Sequence, residues 1–465
     1  MVCEASHVVL SRIELHWRDA SGFPHALSIP IAAGATSASG ERADAMVSAR
    51  IERAGDETIV RGTIANRGNE PLRLDSVVIR IATGLPADRP ARFFKHGYQS
   101  WSASGPAQVG ATSPYPRDSA PTLIRLIHQS EVTRPENAPE AATSELFTVV
   151  ENGARSERIL AGFIGAASQL TVVSVTTAAE MAARAMFDGV TLAPGAEREI
   201  EPLLLISGSH SAARLAARWA AHAGRAMGAR VGAHYQRGWC SWYHYFHAIS
   251  EDALRANLSA LAAMRAEFPL EVVQLDDGFQ SALGDWDTTN ARFPSGLERI
   301  AGEIRAAGFE AGIWTAPFLA ARDSRIMSEH PDWFIRYSEG RLLRAGYNTN
   351  WTSHQDAFAY ALDPSNPAFR AHLTRLFEKL TGFGYSYLKL DFLYAAAAEG
   401  MRHDPEATRA ETLRSGLEAI RAGAGTRAFI LGCGCPLGPA IGIVDGMRIG
   451  PDVAPTWGSG GAEFG

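Results

Sequence analysis

Over roughly the first two hundred residues, apolar and polar positions alternate in short runs. HVVLSRIELHW, DETIVRGTIAN, LRLDSVVIRIA, SQLTVVSVTT and EIEPLLLISG have this pattern, and Gly, Asp, Asn and Pro separate them. A period of two marks strands with one buried and one solvated face, the habit of antiparallel sheets. The pattern predicts an antiparallel β-sandwich over residues 1–210. The period then lengthens: SAARLAARWAAHAGRAMGAR has helical spacing and predicts a helical linker over 211–232. From about Gln236, apolar runs alternate with amphipathic ones. RGWCSWY, EVVQLDD, EAGIWTAPF, YLKLDF, AFILGCG and GMRIG read as six strands. DALRANLSALAAMRAEF, GLERIAGEIRAAG, PAFRAHLTRLFEKLTGFG and PEATRAETLRSGLEAIRAGAG read as the intervening helices. Strict β/α alternation with apolar strands predicts a parallel sheet covered by helices.

Charged or aromatic residues recur at the C-terminal ends of these strands: Trp242, Asp276, Asp277, Trp314, Asp391, Cys433 and Asp452. A doubly wound sheet binds ligands at one switch point, whereas a (β/α)8 barrel gathers residues from many strand ends. The distribution favours the barrel. Six strands precede the Gly-rich WGSGGAEFG, so residues 233–465 are expected to form a barrel incomplete at its C-terminal side.

Composition narrows the function. The chain has 465 residues, 46% hydrophobic and 20% charged, with a formal net charge of −6. These are the proportions of a globular protein, and without a long Lys/Arg run they argue against a nucleic-acid partner. Four cysteines, Cys3, Cys240, Cys433 and Cys435, are too few for a disulfide framework in so long a chain. The C-x-C spacing of Cys433 and Cys435 is not that of a zinc site, and no metal or cofactor is expected. MVCEASHVVL does not read as a signal peptide, and no apolar run is long enough for a membrane span. The expectation is a cytoplasmic protein with no membrane partner, its oligomeric state open.

Two carboxylates delivered by different strand ends suit glycosidic-bond hydrolysis. Asp391 ends YLKLDF, with Lys389 two positions before it on the same face of the predicted strand. An ammonium there favours an ionised carboxylate, the form that attacks an anomeric carbon. Asp452 follows Pro451 in GMRIGPDVAP and, on a loop at the mouth, is a candidate proton donor to a leaving oxygen. Asp276 and Asp277 both reach one ligand if the strand breaks at Gly278, and paired carboxylates accept hydrogen bonds from sugar hydroxyls. Each of these residues also fits a structural role: an ion pair at a strand end, or a turn Asp. Trp239, Trp242, Tyr243, Tyr245, Trp286, Trp314, Trp333 and Trp351 crowd the same region, and indole faces stack on sugar C–H surfaces. Trp314 is expected in the cleft; Trp333 and Trp351 stay unassigned. ILGCGCPLG offers a loose dinucleotide fingerprint, but Pro436 and Pro439 interrupt the helix such a site needs.

Taken in order, WCSWYHYF, VVQLDDGF, GDW, FP, GIWTAPF, HPDW, YALD, YLKLDFL, FILGCG and GMRIGPD resemble the glycoside hydrolase family 36 α-galactosidases of the melibiase clan, in their compact bacterial form. The motifs cover residues 236–457 densely and the upstream β-region loosely. The resemblance implies an N-terminal β-supersandwich, a (β/α)8 barrel and a small C-terminal β-domain. It implies a retaining α-galactosidase acting on oligosaccharides with terminal α-galactose, with Asp391 as nucleophile and Asp452 as acid/base. Asp276 and Asp277 would bind galactose hydroxyls, and Trp314, Lys389, Cys433 and Arg448 would line the sugar site, with Trp101 of GYQSWS reaching in from the N-terminal region. Two barrel strands and the C-terminal domain are not read in this chain, which is therefore expected to be truncated. An α-galactosyl transferase of the raffinose-synthase kind and a non-catalytic carbohydrate-binding fragment are the alternatives.

Overall fold

Along the strand Val9–Arg18, Ile13, Leu15 and Trp17 are buried while the residues between them are partly exposed, the alternation that the sequence pattern requires. In the computed structural model of the chain, residues 8–84, 92–110, 126–127, 141–151, 157–177, 180–234, 236–351, 356–450 and 452–453 are described. Cys3 and the Gly-rich tail lie outside them. The chain divides into two compact units. The first comprises Met1–Tyr98, Ser102–Ala229 and Pro405–Glu411; the second comprises Gln99–Trp101, Arg230–Asp404 and Thr412–Gly465.

The first unit is built on two sheets whose paired strands run antiparallel. One has six strands, in the order Pro24–Pro30, Val9–Arg18, Leu72–Ala82, Met181–Leu192, Leu170–Val175 and Ala142–Glu145. The other has eight, with Ala45–Ala54, Glu57–Asn66, Glu197–Gly208 and Arg158–Phe163 at its centre. Leu15, Trp17, Ile79 and Phe187 of the first sheet join Val47, Ile64, Phe163 and Leu203 of the second in one apolar core. Fully burying such a side chain contributes about 1.5–3 kcal/mol, so this shared core holds the two sheets together.

The helix expected to link the domains spans Ala212–Met227. Ser211 caps its start by accepting from the Arg214 amide, and Gly228 ends it in the left-handed conformation (φ 66°). It buries the stripe Leu215, Trp219 and Ala223. Trp219 stacks on Phe147 with ring centroids 4.1 Å apart and donates its indole N–H to the Phe163 carbonyl at 2.9 Å. Gly162 makes room for that indole, because a Cβ there would lie 2.6 Å from it.

The second unit is built on a six-stranded sheet in the order Gly238–Cys240, Val272–Leu275, Glu310–Thr315, Tyr385–Leu390, Phe429–Gly432 and Gly446–Met447. Every pairing is parallel, and the strand order follows the chain without reversal. There is accordingly no switch point of the doubly wound kind. All four residues of Val272–Leu275 are buried, as a parallel strand covered on both faces requires. The helix Pro367–Gly382 places Phe369, Leu373, Leu376, Phe377 and Leu380 on its buried stripe, and Asn366 caps it just before Pro367. All six expected strands are present. GMRIG contributes only Gly446–Met447, so the strand stops well before Pro451 rather than at it.

One element the sequence pattern did not reveal is a three-stranded antiparallel sheet. It is formed by Leu319–Ala321, Phe358–Ala361 and Arg344–Tyr347, inserted after the strand Glu310–Thr315. Among the described residues, no helix is long and apolar enough to cross a membrane.

Candidate active site

Parallel register places Trp314 beside Lys389, and the two strands end together at Thr315 and Leu390. The chain delivers Asp276, Asp277, Asp391 and Cys433 just beyond the C-terminal ends of three strands of this one parallel sheet. All four are nearly inaccessible to solvent.

Asp391 is fixed by three hydrogen bonds. Its own amide donates to the Thr315 carbonyl at 2.8 Å, the Trp314 indole donates to Oδ2 at 3.0 Å, and the Phe392 amide donates to Oδ1 at 2.8 Å. That last contact requires Phe392 to sit at φ 54°, a region costly for a residue with a side chain. Trp314, expected in the cleft, is buried and presents its N–H to Asp391.

Lys389 feels the Asp391 charge, as the sequence suggested, but its ion pair is with another carboxylate. The ammonium pairs with Asp276 Oδ2 at 2.9 Å, with only 5% and 2% of the two side chains exposed. Burial alone would lower the pKa of Lys389, but the carboxylates of Asp276 and Asp391 outweigh it and hold the ammonium well above its ordinary value.

Asp276 and Asp277 lie past the end of their strand at Leu275, where the chain turns at Gly278 (φ 119°). A Cβ on Gly278 would sit 2.8 Å from the His247 carbonyl oxygen, so glycine is required on both counts. Oδ2 of Asp276 also accepts from Gln274 Nε2 at 2.5 Å and from the Cys240 thiol at 3.3 Å. Its amide donates to Ser241 Oγ at 2.9 Å. Asp277 accepts from Gln280 Nε2 at 2.6 Å on Oδ1 and from Trp351 Nε1 at 3.0 Å on Oδ2, with His247 Nδ1 3.4 Å from the same Oδ2. The Asp277 amide donates to Asp276 Oδ1 at 3.0 Å, so the two aspartates are directly linked.

Asp452 is exposed, and both its oxygens are held: Arg448 Nη2 lies 2.5 Å from Oδ1, and the Trp242 indole donates to Oδ2 at 2.8 Å. Arg448 also approaches Cys433 Sγ at 3.9 Å. Burial and the neighbouring Asp391 push the Cys433 thiol well above its ordinary pKa, so it stays neutral. Burial likewise raises the Tyr243 phenol, with Lys389 and Arg448 opposing.

Trp101 belongs to the second unit, as do Gln99 and Ser100. Ser100 Oγ accepts from the Gly434 amide at 2.7 Å, and its carbonyl accepts from Gly450 at 2.8 Å. These bonds set the Trp101 ring edge-on against Phe392 and Tyr394, at 5.2 and 5.9 Å. The structure thus brings the expected residues into linked contacts around Asp391, Asp276 and Asp452. It adds His247, Gln274 and Gln280, and gives Trp242 and Trp351 of the aromatic group carboxylate partners. Trp333 stacks on His330 instead.

The family model for melibiase matches residues 241–413. The α-galactosidase of Thermus thermophilus, solved in complex with stachyose, is 31% identical and superimposes with a TM-score of 0.66, covering 91% of this chain and 80% of that one. The same protein has been solved in complex with p-nitrophenyl α-D-galactopyranoside, with the same identity and TM-score. A family 36 α-galactosidase from Geobacillus stearothermophilus shares the fold at 16% identity, with a TM-score of 0.61 and coverage of 94% of this chain and 64% of that one. Among curated relatives, α-galactosidase 2 of Pediococcus pentosaceus is 27% identical over 179 residues, 37% of this chain. The matched stretch spans 23% of that relative, and the match to the Geobacillus stearothermophilus enzyme spans 13% of its length.

Proposed function

Because this chain belongs to the glycoside hydrolase family 36 α-galactosidases, we propose that it hydrolyses terminal α-D-galactosides with retention, through a covalent galactosyl-enzyme. The observation that carries this reading is the carboxylate of Asp391, buried and held on both oxygens by N–H donors beside the Lys389–Asp276 pair.

In the proposed mechanism an Asp391 oxygen attacks the anomeric carbon as the bond to the leaving oxygen breaks. The proton of Asp452 passes to that oxygen, and the alcohol departs. Asp452, now a carboxylate, takes a proton from water, whose oxygen attacks the same carbon and releases Asp391 and α-galactose. Two inversions give net retention. Fixed N–H groups orient Asp391 without reorganisation during the reaction, which is where preorganised sites gain most. Asp452 stands at an exposed loop, where a leaving sugar meets solvent. Asp276 and Asp277 are assigned to galactose hydroxyls, with Trp314, Lys389, Cys433, Arg448 and Trp101 shaping the sugar site. A site that hydrogen-bonds the C4 hydroxyl rejects the epimer that leaves its carboxylates unpaired.

At the level of architecture we read the two sheets of the first unit as the β-supersandwich and the parallel sheet as part of a (β/α)8 barrel. We read the protein as cytoplasmic, consistent with the free thiols of Cys240, Cys433 and Cys435. The test is release of galactose from nitrophenyl α-galactoside and raffinose, with the anomer formed first followed by proton NMR. Initial α-galactose supports the proposal. Initial β-galactose, or equal hydrolysis of the matched α-glucoside, contradicts it.

A further inference from the structure

The inserted three-stranded sheet carries a side chain to the site carboxylates. Its strand Arg344–Tyr347 runs into a turn in which the Trp351 amide donates to the Asn348 carbonyl at 3.1 Å, and Asn350 donates to the Asn348 side chain at 3.0 Å. The turn delivers a nearly buried indole, 8% exposed, whose N–H reaches Asp277 Oδ2 at 3.0 Å. The ring also lies edge-on to Phe392, at 5.2 Å and 90°. Phe392 is the residue whose left-handed backbone directs an amide at Asp391. One side chain therefore touches the partner of both assigned functions, the sugar-binding carboxylate through its N–H and the nucleophile's neighbour through its ring. Its seat is built for it: a Cβ on Gly346 would stand 2.9 Å from Trp351 Cζ3, so that strand position has to be glycine.

We propose that Trp351 is a positioning residue for sugar selectivity, locking the Asp277 carboxylate in the orientation that recognises galactose. Gln280 fixes Oδ1, and among the described residues the indole makes the shorter contact to Oδ2, 3.0 Å against 3.4 Å for His247, with an N–H that is a donor in every state. Without it the carboxylate turns about its terminal torsion, and the epimers of galactose are distinguished less sharply. The inference rests on the galactoside reading of this site.

The test uses the full chain and Trp351→Phe, which keeps an aromatic ring and deletes the N–H. Galactose binding is measured by calorimetry, alongside KM and kcat on nitrophenyl α-galactoside and α-glucoside. A hydrogen bond to a charged group corresponds to about tenfold or more in binding. The variant is expected to bind galactose about tenfold more weakly and to raise KM by a similar factor. Its kcat should move much less, and its galactoside-to-glucoside ratio should fall. Gly346→Ala, which displaces the ring without touching Asp277, is expected to give the same signature. Unchanged selectivity and KM in Trp351→Phe overturn the inference. So does a parallel fall in kcat on both substrates with a lowered melting temperature, since that marks a structural role alone. A wild-type chain that neither binds nor releases galactose overturns the galactoside reading itself, and this inference with it. A wild type that does both beside an indistinguishable Trp351→Phe overturns this inference only.

Discussion

Replacing Lys389 by Met tests whether the buried charge pair holds the second unit together. The substitution keeps the length of the aliphatic stem and removes the ammonium. Its partner Asp276 is 2% exposed, so water cannot replace the lost charge. Removing one member of a buried ion pair costs about 3–5 kcal/mol. The Cys240 thiol and Gln274 amide still donate to Asp276 Oδ2, which puts the expected loss near the lower end, about 3 kcal/mol. That is a large part of the stability of an ordinary domain. The loss should depend on pH. Burial raises the pKa of Asp276 even with Lys389 opposing, and without the ammonium it rises further. An acid whose folded pKa lies above its unfolded value costs nothing below the unfolded value, near about pH 4. The cost grows as pH climbs through the folded value and is complete above it. The variant should be closest to wild type near pH 4 and furthest from it at neutral pH. Lys389→Met combined with Asp276→Asn leaves no unpaired charge and should recover most of the loss. Urea unfolding followed by tryptophan fluorescence reads this, because Trp101, Trp242, Trp286, Trp314 and Trp351 all belong to the second unit. A loss below about 1 kcal/mol at pH 7, the range of exposed pairs, would refute the reasoning. So would a loss independent of pH, or a double variant no more stable than the single one.

Asp391→Ala should abolish turnover while circular dichroism stays that of the wild type, and added azide should restore rate and give the β-galactosyl azide; unaltered turnover would rule out its assigned role. Asp452→Asn should slow raffinose hydrolysis by about 10²–10⁴ and affect substrates with good leaving groups far less, since only poor leaving groups need the proton. In the first unit, Arg409 pairs with Asp188 through its Nε at 2.8 Å, with 7% and 9% of the side chains exposed. Arg409→Leu should therefore destabilise that unit by about 3–5 kcal/mol in calorimetry, and a change within 0.5 kcal/mol would count against a buried pair there.

The parallel sheet was legible in the sequence because buried strands are short apolar runs between amphipathic helices, and each of the six runs became a strand. Asp276, Asp277 and Asp391 were legible as candidates because charge just past the ends of such strands stands out. What escaped was tertiary. Lys389 was assigned to Asp391 by alternation and does feel its charge, but the ammonium forms its ion pair with Asp276, past the end of a strand two places away in the sheet. Gln274 and Gln280 are ordinary polar residues in sequence, and their value appears only where they meet Asp276 and Asp277. Trp351 lies in GYNTNW, whose periodicity does not declare a strand, so the small antiparallel sheet stayed hidden and Trp351 could not be assigned from sequence. The GDW tryptophan, Trp286, packs edge-on against Trp314 at 5.4 Å, a contact no local pattern foretells.

The most direct test of the account is to trap the covalent intermediate. The chain is incubated with a fluorinated galactosyl fluoride, which forms the ester readily and hydrolyses it slowly, then digested and analysed by tandem mass spectrometry. The account predicts one galactosyl adduct, on the peptide carrying Asp391, blocked by excess galactose and absent in Asp391→Ala. An adduct on another residue, or turnover of galactosides with no adduct and β-galactose as the first product, would contradict it.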